Sequence, residues 1–223
     1  MPVRHYINNR VHGGKADMCP ARKMKKEILK YLGHKDANSV DEHTNSLIDK
    51  ALLEVEQQSK FKYIYEKFDE PLPFMKDISG YQSYLEDSPF LLCATTLGVQ
   101  IDRYIQRLQL KDMAYATVFD ASASVFLETK ADEFERNLEF GNLGFRFCPG
   151  YSGTSFIDNQ KIARILNAEK IGITFLESGL MVPLKSMVGI IKIGENVKKS
   201  CGGCAAKSDC GFRKNGTYCY GNA

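Results

Sequence analysis

Apolar residues recur along this chain in two periods, and the alternation between them predicts its elements. From Ala21 a helical pattern begins, with Met24, Ile28, Leu29 and Leu32 on one face and Gly33 placed as a stop. Ser39 or Asp41 opens a longer helix carrying Leu47, Ile48, Ala51, Leu52 and Val55. Residues 61–68 then alternate as a strand, and Pro71 and Pro73 follow it. The unbroken apolar run 90–98 reads as a buried strand, ended by Gly98, after which Ile101, Tyr104, Ile105 and Leu108 mark another helix. A further helix is predicted from about 112 to 136. After a loop, one more spans 157–168, with Ile162, Ile165 and Leu166 inward. Residues 171–176 and 186–194 read as two strands, antiparallel to each other around the 181–185 connection. Together these predict an α+β fold, a mostly antiparallel twisted sheet with helices packed to one side. An irregular segment 1–22 precedes the main domain, 23–197, and a Cys-rich tail, 198–223, follows it.

Composition narrows the classes. The chain has 223 residues, enough to bury a substantial core, and a net charge of only +3. Acids and bases are mixed, so there is no nucleic-acid footprint. No apolar run approaches the roughly 20 residues that span a bilayer, and no hydrophobic stretch follows the basic N-terminus. A soluble, cytoplasmic protein is expected. Four of the seven cysteines fall within residues 201–219, which in a reducing compartment suggests metal or free thiols over disulfides.

The chemically richest stretch is 144–154, Gly-Phe-Arg-Phe-Cys-Pro-Gly-Tyr-Ser-Gly-Thr. It reads as a strand that delivers Arg146 into a turn rich in exposed backbone. Pro149 pushes Cys148 toward extended geometry, and Gly150 and Gly153 allow close approach of a ligand. A guanidinium beside free N–H groups suits a carboxylate; the competing reading is an ordinary strand-to-loop junction. Ala121, Ser122, Ala123 and Ser124 permit close approach of another backbone or of a ligand. Asp120 and Glu128, eight residues apart, share a side of that helix. In the tail, Cys201, Cys204, Cys210 and Cys219 give C-x2-C-x5-C-x8-C, a set able to converge on zinc or an iron–sulfur cluster. Cys148 is the substitute for Cys219. His5, His12 and Cys19 match no metal spacing.

Arg146-Phe147-Cys148-Pro149-Gly150-Tyr151 resembles the R-x-x-P-G-Y signature of the reactivation domain of cobalamin-dependent methionine synthase. Residues 176–189, Leu-Glu-Ser-Gly-Leu-Met-Val-Pro-Leu-Lys-Ser-Met-Val-Gly, resemble the same family's T-E-S-x-x-M-x-P-x-x-S-V-x-G run. The helix–helix–strand order from residue 24 resembles its stand-alone members, and the Ala94–Gly98 segment resembles family members in general. The tail's Cys210-Gly211-Phe212-Arg213 echoes anaerobe-type relatives.

The resemblance implies an S-adenosylmethionine site. Arg146 would hold the methionyl carboxylate, and Pro149, Gly150, Tyr151 and Ser152 would present backbone and an aromatic edge. Glu177 and Ser178 would shape the floor or face the corrinoid. The family's acid toward the cofactor ammonium aligns with Ser124, which leaves Asp120 and Glu128 as candidates. The implied role is to support reductive methylation of an oxidised cobalamin. With no D-x-H-x-x-G corrinoid motif in the sequence, the cobalamin would sit on a partner methyltransferase met in trans, with a flavodoxin- or ferredoxin-type electron donor. Two other readings stay open: an iron–sulfur electron carrier or corrinoid reductase, and a structural subunit with a zinc-stapled tail.

Overall fold

In the computed structural model, residues 5–7, 18–34, 40–150 and 153–194 are described. In chain order the elements are β1 (His5–Ile7), α1 (Met18–Tyr31), α2 (Glu42–Gln58), β2 (Lys62–Phe68), α3 (Ser79–Leu85) and β3 (Phe90–Thr96). There follow α4 (Val99–Lys111), α5 (Met113–Arg136), α6 (Asp158–Leu166), β4 (Thr174–Phe175), β5 (Met181–Val182) and β6 (Ser186–Lys192). Local chemistry sets the boundaries. The Asp41 carboxylate accepts the Thr44 N–H at 2.8 Å and so caps α2. Asp112 closes α4 with its own N–H and opens α5 by accepting from Tyr115 N–H at 3.0 Å, which leaves no linker between the two helices.

Four strands form one fully antiparallel sheet in the order β1-β2-β3-β6. β3 lies at its centre and is buried along its whole length, as its continuous apolar run requires. Ile64, Leu92, Ala94, Val188 and Ile190 face one side, where α3 and α6 pack through Tyr81, Tyr84, Leu85, Ile162 and Leu166. Tyr63, Tyr65, Leu91, Cys93 and Ile191 face the other, against Ala131 and Phe134 of α5. Beyond them α1, α2, α4 and α5 share a second core around Ile28, Ile48, Val55, Ile101 and Phe119. The α+β expectation holds. The main helical group lies on one face, and a thinner helical layer also covers the opposite one.

Two expectations are corrected. β6 pairs with β3, Leu91 facing Ile191 and Cys93 facing Gly189, and not with residues 171–176. Those residues instead make the end of a 3-10 turn, Ala168–Ile171, then a positive φ of +87° at Gly172 and only the two-residue β4, paired with β5. β6 is buried on both faces between the two helical layers, and β3, buried likewise, pairs with it along its whole length. Secondly, the segment expected to be irregular up to residue 22 holds β1, antiparallel to β2, and the first turn of α1, where Pro20 is tolerated. α3 has no predicted counterpart. The tail 198–223 lies outside the described residues.

Candidate functional site

The stretch leading to Arg146 runs along the outer edge of β6, but not as a regular strand. Gly144 N–H donates to Lys192 C=O at 2.8 Å, and Phe147 and Ile190 exchange both backbone bonds at 2.8 Å. Leu143 faces Ile193 and Phe147 faces Ile190, so four residue steps (143 to 147) match three (190 to 193). One extra residue is accommodated, as in a bulge. Leu143 packs on the α5 side while Phe145 and Phe147 pack on the other, a change of side that places the extra residue at Gly144. Arg146, between the two phenylalanines, is thereby laid across the α5-facing surface of β6.

Its floor is Gly189. A methyl group there would stand 2.5 Å from Arg146 Cγ and 2.9 Å from Cδ, so the arginine stem occupies the volume any larger residue would need. At its head, Nη1 donates to Glu135 Oε1 and Nη2 donates to Asp132 Oδ1 at 3.0 Å. Glu135 also accepts the Tyr63 hydroxyl at 2.7 Å. The Arg146 and Glu135 side chains are buried, whereas Asp132 is 57% exposed. Burial alone would weaken the guanidinium's charge, but Glu135 and, to a lesser degree, Asp132 more than offset it and hold the proton firmly. Burial pushes the Glu135 carboxyl up, against the pull of Arg146. Burial also pushes the Tyr63 hydroxyl and the Cys93 thiol up. The arginine singled out from sequence is therefore engaged by two carboxylates of α5.

The loop after Arg146 turns at Gly150 (φ +107°) and Gly153 (φ +79°), with Gly150 N–H bonded to Thr154 Oγ1 at 3.0 Å. Tyr151 and Ser152 lie outside the described residues. The second motif forms a tight turn in which Leu176 N–H donates to Leu180 C=O and Gly179 N–H to Leu176 C=O, both at 2.9 Å. Glu177 and Ser178 are exposed on that turn. A single ring joins the two loops. Methyl groups added at Gly150 and Gly179 would stand 3.7 Å and 3.5 Å from Phe156, whose ring packs on both. Pro149 is held to the same junction, its carbonyl accepting from Asn159 at 3.4 Å.

Below this turn, Leu184 N–H donates to Asp102 Oδ2 at 2.7 Å, and Lys185 reaches Ser124 Oγ at 2.8 Å and Asp120 Oδ1 at 2.9 Å. Asp120 is thus tied to the second motif, while Glu128 accepts the Tyr31 hydroxyl at 3.0 Å, on the α1 side. On the segments that meet or flank the junction, Phe156, Ile157, Leu176, Leu180 and Leu184 are each about half exposed. Phe156, Asp132 and Glu135 carry no assignment from sequence, and Lys185 and Gly189 are marked there only as members of the second motif. The acid pair at i and i+3 near the end of α5 was a visible signal, but its partner was not. One cleft lies near Met75 and Tyr81, away from both motifs, and another lies between Lys60 and Pro183 of the second motif. Among the described residues no group of three or more His, Cys, Asp or Glu side chains is placed to hold a metal. Cys201, Cys204, Cys210 and Cys219 lie outside those residues.

No protein-family description matches the chain, and no curated protein gives a significant match. Among solved structures, the crystal structure of the MetH reactivation domain bound to AdoHcy superposes with a TM-score of 0.66. It covers 97% of this chain and 87% of that one, at 14% sequence identity. A chain so distant in sequence has nonetheless the fold of the MetH reactivation domain.

Proposed function

We propose that this chain binds S-adenosylmethionine where the 149–154 and 176–180 loops meet, and supports reductive methylation of an oxidised cobalamin on a partner methyltransferase. The observation that carries this reading is the junction at Phe156. It brings two motifs, separate in sequence and both resembling those of the reactivation domain, to one edge of a fold of that type. The donor set suits the cofactor. Arg146, whose fork Glu135 and Asp132 fill in the empty protein, is assigned the methionyl carboxylate; Pro149, Gly150, Tyr151 and Ser152 are assigned the backbone and aromatic contacts, and Glu177 and Ser178 are exposed on the 176–180 turn. Asp120 and Glu128 remain the candidates for the ammonium. When bound, S-adenosylmethionine supplies its sulfonium methyl to cobalt that a separate flavodoxin- or ferredoxin-type donor has reduced by one electron, leaving S-adenosylhomocysteine.

The protein's contribution is placement: a guanidinium fixed by packing, loops with little side-chain bulk, and exclusion of water. The half-exposed Phe156, Ile157, Leu176, Leu180 and Leu184 are assigned to the corrinoid partner. Cys201, Cys204, Cys210 and Cys219 are assigned an iron–sulfur cluster or zinc, which metal analysis and visible absorbance of the purified protein measure. The test of function is a calorimetric titration with S-adenosylmethionine. It is followed by mixing with a Co(II) corrinoid protein and a reductant and recording the methylcobalamin spectrum. Saturable binding and methylcobalamin formation are expected, both reduced by Phe156→Ala. Absence of binding rejects the reading.

A further inference from the structure

Arg146 is the residue expected to receive a ligand carboxylate, yet its fork is filled from within, and its two acids are not equivalent. Glu135 is buried on the inner side, tied to Tyr63 as well as to Nη1. Asp132 stands on the outer side, 57% exposed, with the Nη2 contact as its hydrogen bond to the guanidinium. A third carboxylate added to this group would bring two excess negative charges around one cation, which Coulomb repulsion opposes. Replacing one carboxylate by another keeps the count unchanged. Only the acid at the solvent side can leave without stranding a buried charge.

Resting on the reading above, we infer that Asp132 stands in for the ligand's carboxylate on Arg146, and that S-adenosylmethionine binds by exchanging with it while Glu135 stays in place. Asp132 is then a built-in competitor. It keeps the arginine positioned in the empty protein and sets a threshold that a ligand without a carboxylate does not have to pass. Its outward position on α5 lets it swing into solvent with little loss, as exposed ion pairs are weak.

The experiment is calorimetric titration of the full chain with S-adenosylmethionine and, separately, with its decarboxylated analogue, S-adenosyl-3-methylthiopropylamine. Wild type is compared with Asp132→Asn and, as a second variant, Asp132→Ser, each checked for wild-type unfolding. The inference expects S-adenosylmethionine to bind both variants about two- to fivefold more tightly than wild type, the range that removal of an exposed competitor gives. The analogue should gain nothing. Unchanged or weaker binding of S-adenosylmethionine by the variants overturns the inference and leaves the functional reading intact. An equal gain for both ligands also overturns it, because the effect would not pass through a carboxylate. If wild type and variants bind neither ligand, the functional reading falls and takes the inference with it.

Discussion

Gly189→Ala tests the packing of Arg146 most sharply. The substitution is compatible with the backbone, since Gly189 does not sit at positive φ, so any penalty comes from contact. The added methyl would stand 2.5 Å from Arg146 Cγ and 2.9 Å from Cδ, with Cys93 Sγ at 3.4 Å. Carbon atoms prefer about 3.5–4 Å, so the stem must retreat by roughly 1 Å. Retreat is resisted because the head is held by Glu135 and, at 3.0 Å, by Asp132. Either the methyl is overpacked or an ion pair stretches, and the expected loss is about 1–3 kcal/mol. In a background of Arg146→Ala with Glu135→Gln, which removes the obstructing stem and the charge it covers, the same substitution should cost almost nothing. It could even gain a few tenths of a kcal/mol from reduced chain entropy. The assay is urea unfolding of all four proteins at matched m-values, read as a double-mutant cycle with a coupling of about 1–3 kcal/mol. An equal penalty in both backgrounds would refute the reasoning, because the methyl would then be clashing with something other than the arginine.

Other substitutions probe neighbouring claims. Tyr63→Phe removes one donor from buried Glu135 and should cost about 1.5–3 kcal/mol in the same unfolding assay. Phe156→Ala removes a half-exposed ring, so stability should fall by less than about 1 kcal/mol, while S-adenosylmethionine affinity drops severalfold in calorimetry as the two glycine loops separate. Asp41→Ala should destabilise through loss of the α2 cap. The Thr44 N–H holds the Asp41 carboxyl below its ordinary value of 3.8, so its contribution is present above that value and lost as pH falls through the lower, folded one. Wild type and variant should therefore converge in strong acid. Cys93, whose thiol burial pushes up, should alkylate at pH 8 only as fast as the protein opens, followed by mass spectrometry of its peptide. Reaction at the rate of a free thiol would contradict its burial.

What could be read without the structure follows a physical line. α2 and α4 announce themselves by an apolar stripe at helical spacing, β3 by its unbroken apolar run, and Asp41 and Asp112 mark the starts of α2 and α5 by their own hydrogen-bonding chemistry. α3 does not: Tyr81 and Tyr84 are buried by distant partners in α6 and the 145–147 segment, so the seven-residue helix has no stripe long enough to count. The partner of β6 was missed because strand pairing is a tertiary choice, whereas sequence offered only the nearest apolar run. The two motifs were legible as resemblances. That Arg146 would lie on Gly189 beneath two acids eleven and fourteen positions upstream was not, since no period links a bulge to a helix across a sheet.

Helix α5 is one continuous rod that touches residues flanking both loops of the candidate site, Arg146 before the first and Lys185 after the second. Asp120 and Ser124 meet Lys185 at one point along it, and Asp132 and Glu135 meet Arg146 at another. From Asp120 to Glu135 is about 22 Å at 1.5 Å per residue. Because α5 begins directly on the aspartate that closes α4, it has no slack at that end to absorb a slip. Deleting one residue between Ser124 and Asp132 would rotate one clamp about 100° against the other. The calliper would lose its setting at both jaws together, however mild the deletion looked in either loop alone.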